Sequence, residues 1–69
     1  MTPEKYRELR LSIDKTQFTL AELLGESRET VASREIGRLR ITSRAEKQLL
    51  NLVQVLTTSG VNPKFNFKQ

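Results

Sequence analysis

The apolar positions of this chain recur at the spacing of α-helices. Tyr6, Leu9 and Ile13 fall on one face of a first helix. Thr2 is a suitable N-cap for this helix, and Pro3 is suited to its first position, where a missing N–H costs nothing. The spacing therefore predicts a first helix that buries one face and exposes a polar one.

A second helix is predicted over residues 17 to 24, with Thr16 as its cap and an apolar stripe formed by Gln17, Leu20, Ala21 and Leu24. Gly25 follows where a chain leaving a helix needs positive φ. Ser27 is a preferred N-cap for a third helix, which brings Val31 onto the second. Because only Glu26 lies between Gly25, where the second helix ends, and Ser27, which caps the third, the two helices must cross steeply.

The third helix has two unlike faces when it is stepped at about 100° per residue. Ser27, Val31 and Arg34 point back, whereas the outward face consists of Arg28, Glu29, Ala32, Ser33 and Ile36. An outward face that is mostly polar or small contributes little core. It suits a helix in a DNA major groove, where Arg can donate to guanine and Glu can accept from cytosine. An ordinary solvated face is the alternative interpretation.

A fourth helix begins with a capping box of Ser43 and Glu46, with Thr42 as the alternative cap. Its core stripe consists of Ala45, Leu49, Leu52, Val53 and Leu56, and residues 57 to 60 are expected to end it. Leu50 and Val55 fall outside this stripe on opposite flanks. We expect them to meet a second copy of the chain.

The tail, residues 59–69, alternates Phe65 and Phe67 with polar residues after Asn62 and Pro63. Period two is typical of a short strand. This strand would pair with its copy in a dimer or lie as an arm over the partner. A disordered terminus, or a Phe packed on its own core, is the alternative.

The spaced residues of the second and third helices together resemble the helix-turn-helix of the Cro and phage-repressor family. Every position of that motif is filled, by Gln17, Leu20, Ala21, Gly25, Ser27, Val31, Glu35 and Gly37. The resemblance covers about residues 3 to 57. It implies an all-α, lambda-repressor-like domain of four to five helices over residues 1–58, with the motif at 17–37.

The resemblance also implies a role for individual residues. Arg28, Glu29 and Ser33 would reach base edges. Phosphate contacts would come from Gln17, Ser27, Thr30, Arg34, Arg38, Arg40 and Arg44. Glu35 would pair with a basic residue of the preceding helix, for which Arg10 is the best-placed candidate. Arg34 departs from many relatives, which are apolar or aromatic there; its stem could cover the core while its guanidinium reaches a phosphate.

Arg38 and Arg40 alternate with Leu39 and Ile41, which we expect to anchor this connection. In relatives the segment after the recognition helix follows the DNA backbone, which is the reason for assigning these arginines to phosphates. Solvated surface arginines are the alternative.

Composition narrows the function further. The 69 residues carry a net charge of +4 and a sequence pI near 10.0, which favours a polyanionic partner. Cysteine and histidine are absent, so disulfides, most zinc sites and the usual general base are excluded, and we expect no catalytic residue, metal or cofactor. One domain of this size leaves no room for a ligand-binding module, so no small-molecule ligand is expected. With no secretory or membrane-spanning run, we expect a cytoplasmic protein and no membrane partner.

These features predict a sequence-specific DNA-binding regulator, a Cro-like repressor or autorepressor that binds an inverted-repeat operator in double-stranded DNA as a homodimer. The alternative is an antitoxin or adaptor that binds a partner protein through its tail or a helical face. RNA binding is weaker, because no aromatic pair lies on a basic sheet. An enzyme is the least supported interpretation.

Overall fold

Four α-helices account for most of the chain that can be described. The computed structural model describes the backbone of residues 1–61 and the side chains of residues 1–57. The helices are α1 (Pro3–Ser12), α2 (Gln17–Leu24), α3 (Arg28–Glu35) and α4 (Ser43–Val61). Residues 1–61 contain no strand, and the predicted all-α class is confirmed. The strand or arm expected around Phe65 and Phe67 lies outside the described residues.

The first three helices begin at the caps that the sequence predicted. The hydroxyls of Thr2, Thr16 and Ser27 each accept a hydrogen bond from a backbone N–H three residues later, at 3.1, 3.1 and 3.3 Å. Gly25 ends α2 in the left-handed region with φ of 71°. These local signals therefore set the boundaries of α1, α2 and α3, because each satisfies backbone groups that a helix end leaves without partners.

The start of α4 differs from the predicted capping box. Thr42, the alternative, is the cap: its hydroxyl accepts from the backbone N–H of Ala45 at 3.1 Å. The Glu46 carboxylate does not bond back to a cap but accepts from the amino group of Met1 at 3.2 Å. The assignment of the cap to Ser43 was wrong. Glu46, which would complete the capping box of Ser43, instead forms an ion pair with the amino group of Met1, 45 residues away in sequence.

The end of α4 also differs from expectation. Residues 57 to 60 were predicted to end the helix, but α4 continues to Val61. The Thr57 hydroxyl donates to the carbonyl of Val53 at 2.7 Å, a bond that lets a threonine stay inside a helix. A glycine in a helix costs only about 1 kcal/mol, so Gly60 alone does not stop one. The helix thus passes the boundary expected at residue 58.

The core lies where α1, α2, α3 and α4 converge. Its fully buried members come from all four helices: Tyr6, Leu20, Ala21, Val31 and Leu49. α3 packs against α2 and α1, and α1 packs against α4. Among the residues described, no helix combines the length and apolarity that crossing a membrane requires. The arrangement buries one side of α3 and leaves the other side at the surface.

Candidate nucleic-acid interface

The turn between α2 and α3 fixes the position of the third helix. The backbone N–H of Glu26 donates to the carbonyl of Ala21 at 2.9 Å, which closes the end of α2. Ser27 then caps α3, and Val31 is fully buried in the same cluster as Leu20. Because only three residues separate the helices, α3 contacts the rest of the domain through its inner side and cannot pack along the length of α2.

The outer side of α3 carries the predicted base-reading residues. Arg28 and Glu29 are exposed, and Ser33 is half-buried. The Ser33 carbonyl accepts from the backbone N–H groups of Arg38 and Leu39 at 2.9 and 3.1 Å, which ties the following segment to the end of the helix. The three side chains share one face, and the first two are free to meet a ligand.

Arg34 does not lie where the resemblance suggested. It is 7% exposed, and its Nη1 donates to the Tyr6 hydroxyl at 3.0 Å. Nη1 and Nη2 also donate to the two carboxylate oxygens of Glu26, at 2.5 and 2.7 Å. The Glu26 carboxylate raises the pKa of Arg34 above its usual value, although burial opposes this. Since the group is buried and both of its terminal nitrogens donate inside the domain, we do not retain Arg34 as a phosphate contact.

This cluster joins α1, the turn and α3, and the sequence analysis did not predict it. The guanidinium carbon lies 5.7 Å from the centroid of the Tyr6 ring, within range of a cation–π interaction. Arg34 is separated from Glu26 by eight residues and from Tyr6 by 28. Glu26 lies in the turn before α3 and Tyr6 lies on α1, so only the tertiary fold brings the three together.

The predicted pair of Arg10 and Glu35 is confirmed. Arg10 Nε and Nη2 donate to the two Glu35 carboxylate oxygens at 2.7 and 3.0 Å, and Nη1 donates to the Lys15 carbonyl at 2.7 Å. The Gln17 amide donates to the same carboxylate at 3.2 Å. This network connects α1, the start of α2 and the end of α3. Gln17 keeps a second amide N–H, so its phosphate contact stays a prediction.

The hydroxyls of Ser27 and Thr30 lie together at the start of α3. They are 2.9 Å apart and share a hydrogen bond. Ser27 is exposed and Thr30 is half-buried. Their phosphate contacts stay predictions.

A basic segment follows α3. Arg38, Arg40 and Arg44 are all exposed, and no acidic residue interrupts the sequence between Glu35 and Glu46. Ile41 packs against the core, as expected, whereas Leu39 is exposed and does not anchor the segment. The three guanidinium groups make residues 38 to 44 a cationic stretch that begins at the C-terminal end of α3.

The residues expected at a dimer interface are only partly visible. Leu50 and Val55 are both exposed on α4, and Phe65 and Phe67 lie outside the described residues. About 140° separates Leu50 from Val55 around the helix at its usual period. One flat contact with a second copy cannot centre on both.

Among the described residues, no three acidic side chains gather in a way that could hold a metal ion. Neither a family model, nor a curated protein, nor a solved structure matches this chain. The functional argument therefore depends on the residues and their geometry.

Proposed function

We propose that this protein is a sequence-specific DNA-binding regulator in which α2 and α3 form a helix-turn-helix of the Cro and phage-repressor type. The observation that carries the proposal is the asymmetry of α3. The helix buries Val31 and Arg34 and presents Arg28 and Glu29 to solvent. A helix with donors and acceptors on its free side is suited to the major groove, where base pairs differ in hydrogen-bond pattern.

The role of each outward residue follows from its chemistry. Arg28 can donate two hydrogen bonds to a guanine, and Glu29 can accept from the amino group of a cytosine. Both lie in the first turn of α3, the part of a recognition helix that reaches base edges. Ser33 is about one turn further on and half-buried, so its contact would be single and weaker.

The basic segment supplies affinity without sequence preference. Arg38, Arg40 and Arg44 can each neutralise a phosphate, and the slope of log affinity against log salt is about −0.9 for each neutralised phosphate. Two protomers would bring six such arginines to one site. We therefore expect a slope of roughly −5 from these residues alone.

The buried pairs support this assignment because they make the face rigid. Arg10 with Glu35 fixes the end of α3, and Arg34 with Glu26 fixes it to the turn. A helix held in place by buried bonds loses little further freedom on binding, so less binding energy is spent on ordering it.

We further propose that the protein acts as a homodimer on an inverted repeat. Two copies of α3 would enter successive major grooves about 34 Å apart, and a two-fold contact between copies would match the symmetry of the site. Bound over a promoter, including that of its own gene, such a dimer represses by excluding RNA polymerase.

The test begins with selection of bound duplexes from a random library by the purified protein. The selected sequence is then used in mobility-shift assays with Arg28→Ala, and with Arg7→Ala as the control, which removes the same charge from an exposed position on α1. Arg28→Ala should relax the preference at one base pair, with a loss of about 1–3 kcal/mol there. Arg40→Ala should weaken binding to all duplexes alike.

Two results would contradict the proposal. If selection enriches no sequence, α3 does not read bases. If Arg28→Ala and Arg7→Ala weaken every duplex equally, the outward face acts only through its charge.

The alternative is a protein-interaction module of the antitoxin or adaptor kind. The observation that favours it is the apolar flank of α4, where Val55 is exposed near Leu23 of α2. Absence of duplex binding even at low salt, together with normal folding, would favour this function over DNA binding.

A further inference from the structure

An open groove between α2 and α4 carries exposed apolar side chains that DNA binding leaves unexplained. Its volume is about 310 Å³, and its lining consists of Leu23, Leu24, Gln48, Asn51, Leu52 and Val55. Leu23 is 52% exposed and Val55 is 57% exposed. Among the residues whose side chains are described, none with a charge lines the groove, so an apolar group would fill it without desolvating an ion.

The groove lies close to Val61, the last described residue of α4. Val55 precedes Val61, the last described residue of α4, by six positions, which corresponds to about 9 Å along a helix. Pro63 disfavours the helical conformation at the residue before it. Phe65 is four residues after Val61, and four residues span up to about 13 Å. The chain between them is therefore long enough to return Phe65 to the level of Val55.

The composition of this segment fits the groove. Phe65 and Phe67 are separated by one residue, so an extended chain presents both rings on the same side. Aromatic side chains each bury about 150–250 Å² of surface. Lys64 and Lys68 flank them and could remain in water.

We propose that residues 62–69 fold back onto the groove of their own chain, with Phe65 and Phe67 packed over Val55 and Leu23. The tether favours this occupant, because linkage by a short segment gives an effective concentration in the millimolar range. A second copy would need to reach that concentration in free solution. The proposal does not depend on DNA binding, and it leaves Leu50, on the other flank of α4, for contact between copies.

The absence of cysteine from the chain makes a disulfide test direct. In the full-length protein, the pair Leu23→Cys with Phe67→Cys keeps Phe65 as the anchor. The control pair is Leu50→Cys with Phe67→Cys. Its two positions are 17 residues apart rather than 44, so a tail that moved at random would form the control bond faster.

We expect the Leu23 pair to oxidise within one chain at least tenfold faster than the Leu50 pair, as judged by mobility on non-reducing gels. Adding Phe65→Ser to the Leu23 pair should remove this advantage. Adding Phe18→Ser should not, because Phe18 is exposed on α2 and does not line the groove.

Thermal unfolding gives an independent readout without any cysteine. Phe65→Ser should lower the melting temperature by at least roughly 4 °C in a domain of this size. Phe18→Ser should change it little.

Three results would overturn the proposal. Equal oxidation rates for the two pairs would show no preference for the groove. A disulfide that joins two chains would assign the groove to the tail of another copy. An unchanged melting temperature for Phe65→Ser would show that the ring is not buried. None of these results bears on DNA binding, which the mobility-shift assays test separately.

Discussion

The buried pair of Arg10 and Glu35 allows the sharpest prediction about stability. Arg10 is 8% exposed, and the Glu35 side chain is 3% exposed. All three guanidinium nitrogens have an acceptor, either a carboxylate oxygen of Glu35 or the Lys15 carbonyl. Removing one partner would leave an uncompensated charge in a place that water scarcely reaches.

The size of the effect follows from this burial. Breaking one side of a buried ion pair costs about 3–5 kcal/mol. A chain of 69 residues has a free energy of unfolding of only about 3–10 kcal/mol at typical values per residue. Glu35→Leu and Arg10→Met should therefore each remove a large share of this stability. The double variant should recover most of the stability, because an apolar pair of similar volume needs no charge compensation.

Urea denaturation followed by circular dichroism measures these differences. The control is Glu29→Leu, which removes an exposed carboxylate from the same helix and should change stability by no more than about 0.5 kcal/mol. If Glu35→Leu changes stability as little as this control, the pair behaves as a surface ion pair. If the double variant is as unstable as the worse single one, the loss comes from packing and the reasoning is refuted.

Other predictions concern single sites. Burial raises the pKa of Tyr6, against the opposing effect of its bond from Arg34, so the folded state retains the phenol proton more strongly. The contribution of the protonated Tyr6 phenol to stability is fully present below pH ~10 and is lost as the pH rises through the raised pKa. In thermal melts, Tyr6→Phe should therefore lose stability less steeply above pH ~10 than the wild type. Gly25→Ala should cost about 1 kcal/mol in urea unfolding because of its φ of 71°, although its Cβ would meet no atom within 4 Å, and Gly25→Asn should cost less. Thr42→Ala should cost about 1 kcal/mol and Ser43→Ala far less; equal losses would contradict the observed cap.

The sequence predicted the features that depend on local chemistry. Thr2, Thr16 and Ser27 cap helices, and Gly25 ends one, because each acts on backbone groups within a few residues. The pair of Arg10 and Glu35 was predicted through the resemblance and is present. The outward side of α3 was predicted from helical period alone, and the exposure of Arg28 and Glu29 agrees with it.

The sequence failed where distant residues compete for a partner. The guanidinium of Arg34 was assigned to a phosphate because its sequence neighbourhood does not show Glu26 and Tyr6 as its partners. Glu46 was predicted to belong to a capping box, but its carboxylate accepts a hydrogen bond from the amino group of Met1. Thr57 and its neighbours were expected to end α4 because of their low helix propensity. That expectation failed because propensity is weak compared with the bonds that continue a helix. For Arg34 and Glu46, the deciding contact is absent from any short window of sequence.

The central claim is that the outward face of α3 and the basic segment after it bind duplex DNA. Amide chemical-shift mapping by NMR, with the selected duplex titrated into the labelled protein, tests it most directly. We predict the largest changes at residues 27–33 and 38–44, with small changes at Leu23 and Val55. Changes concentrated on the groove between α2 and α4, or no changes on α3 at saturation, would contradict the account.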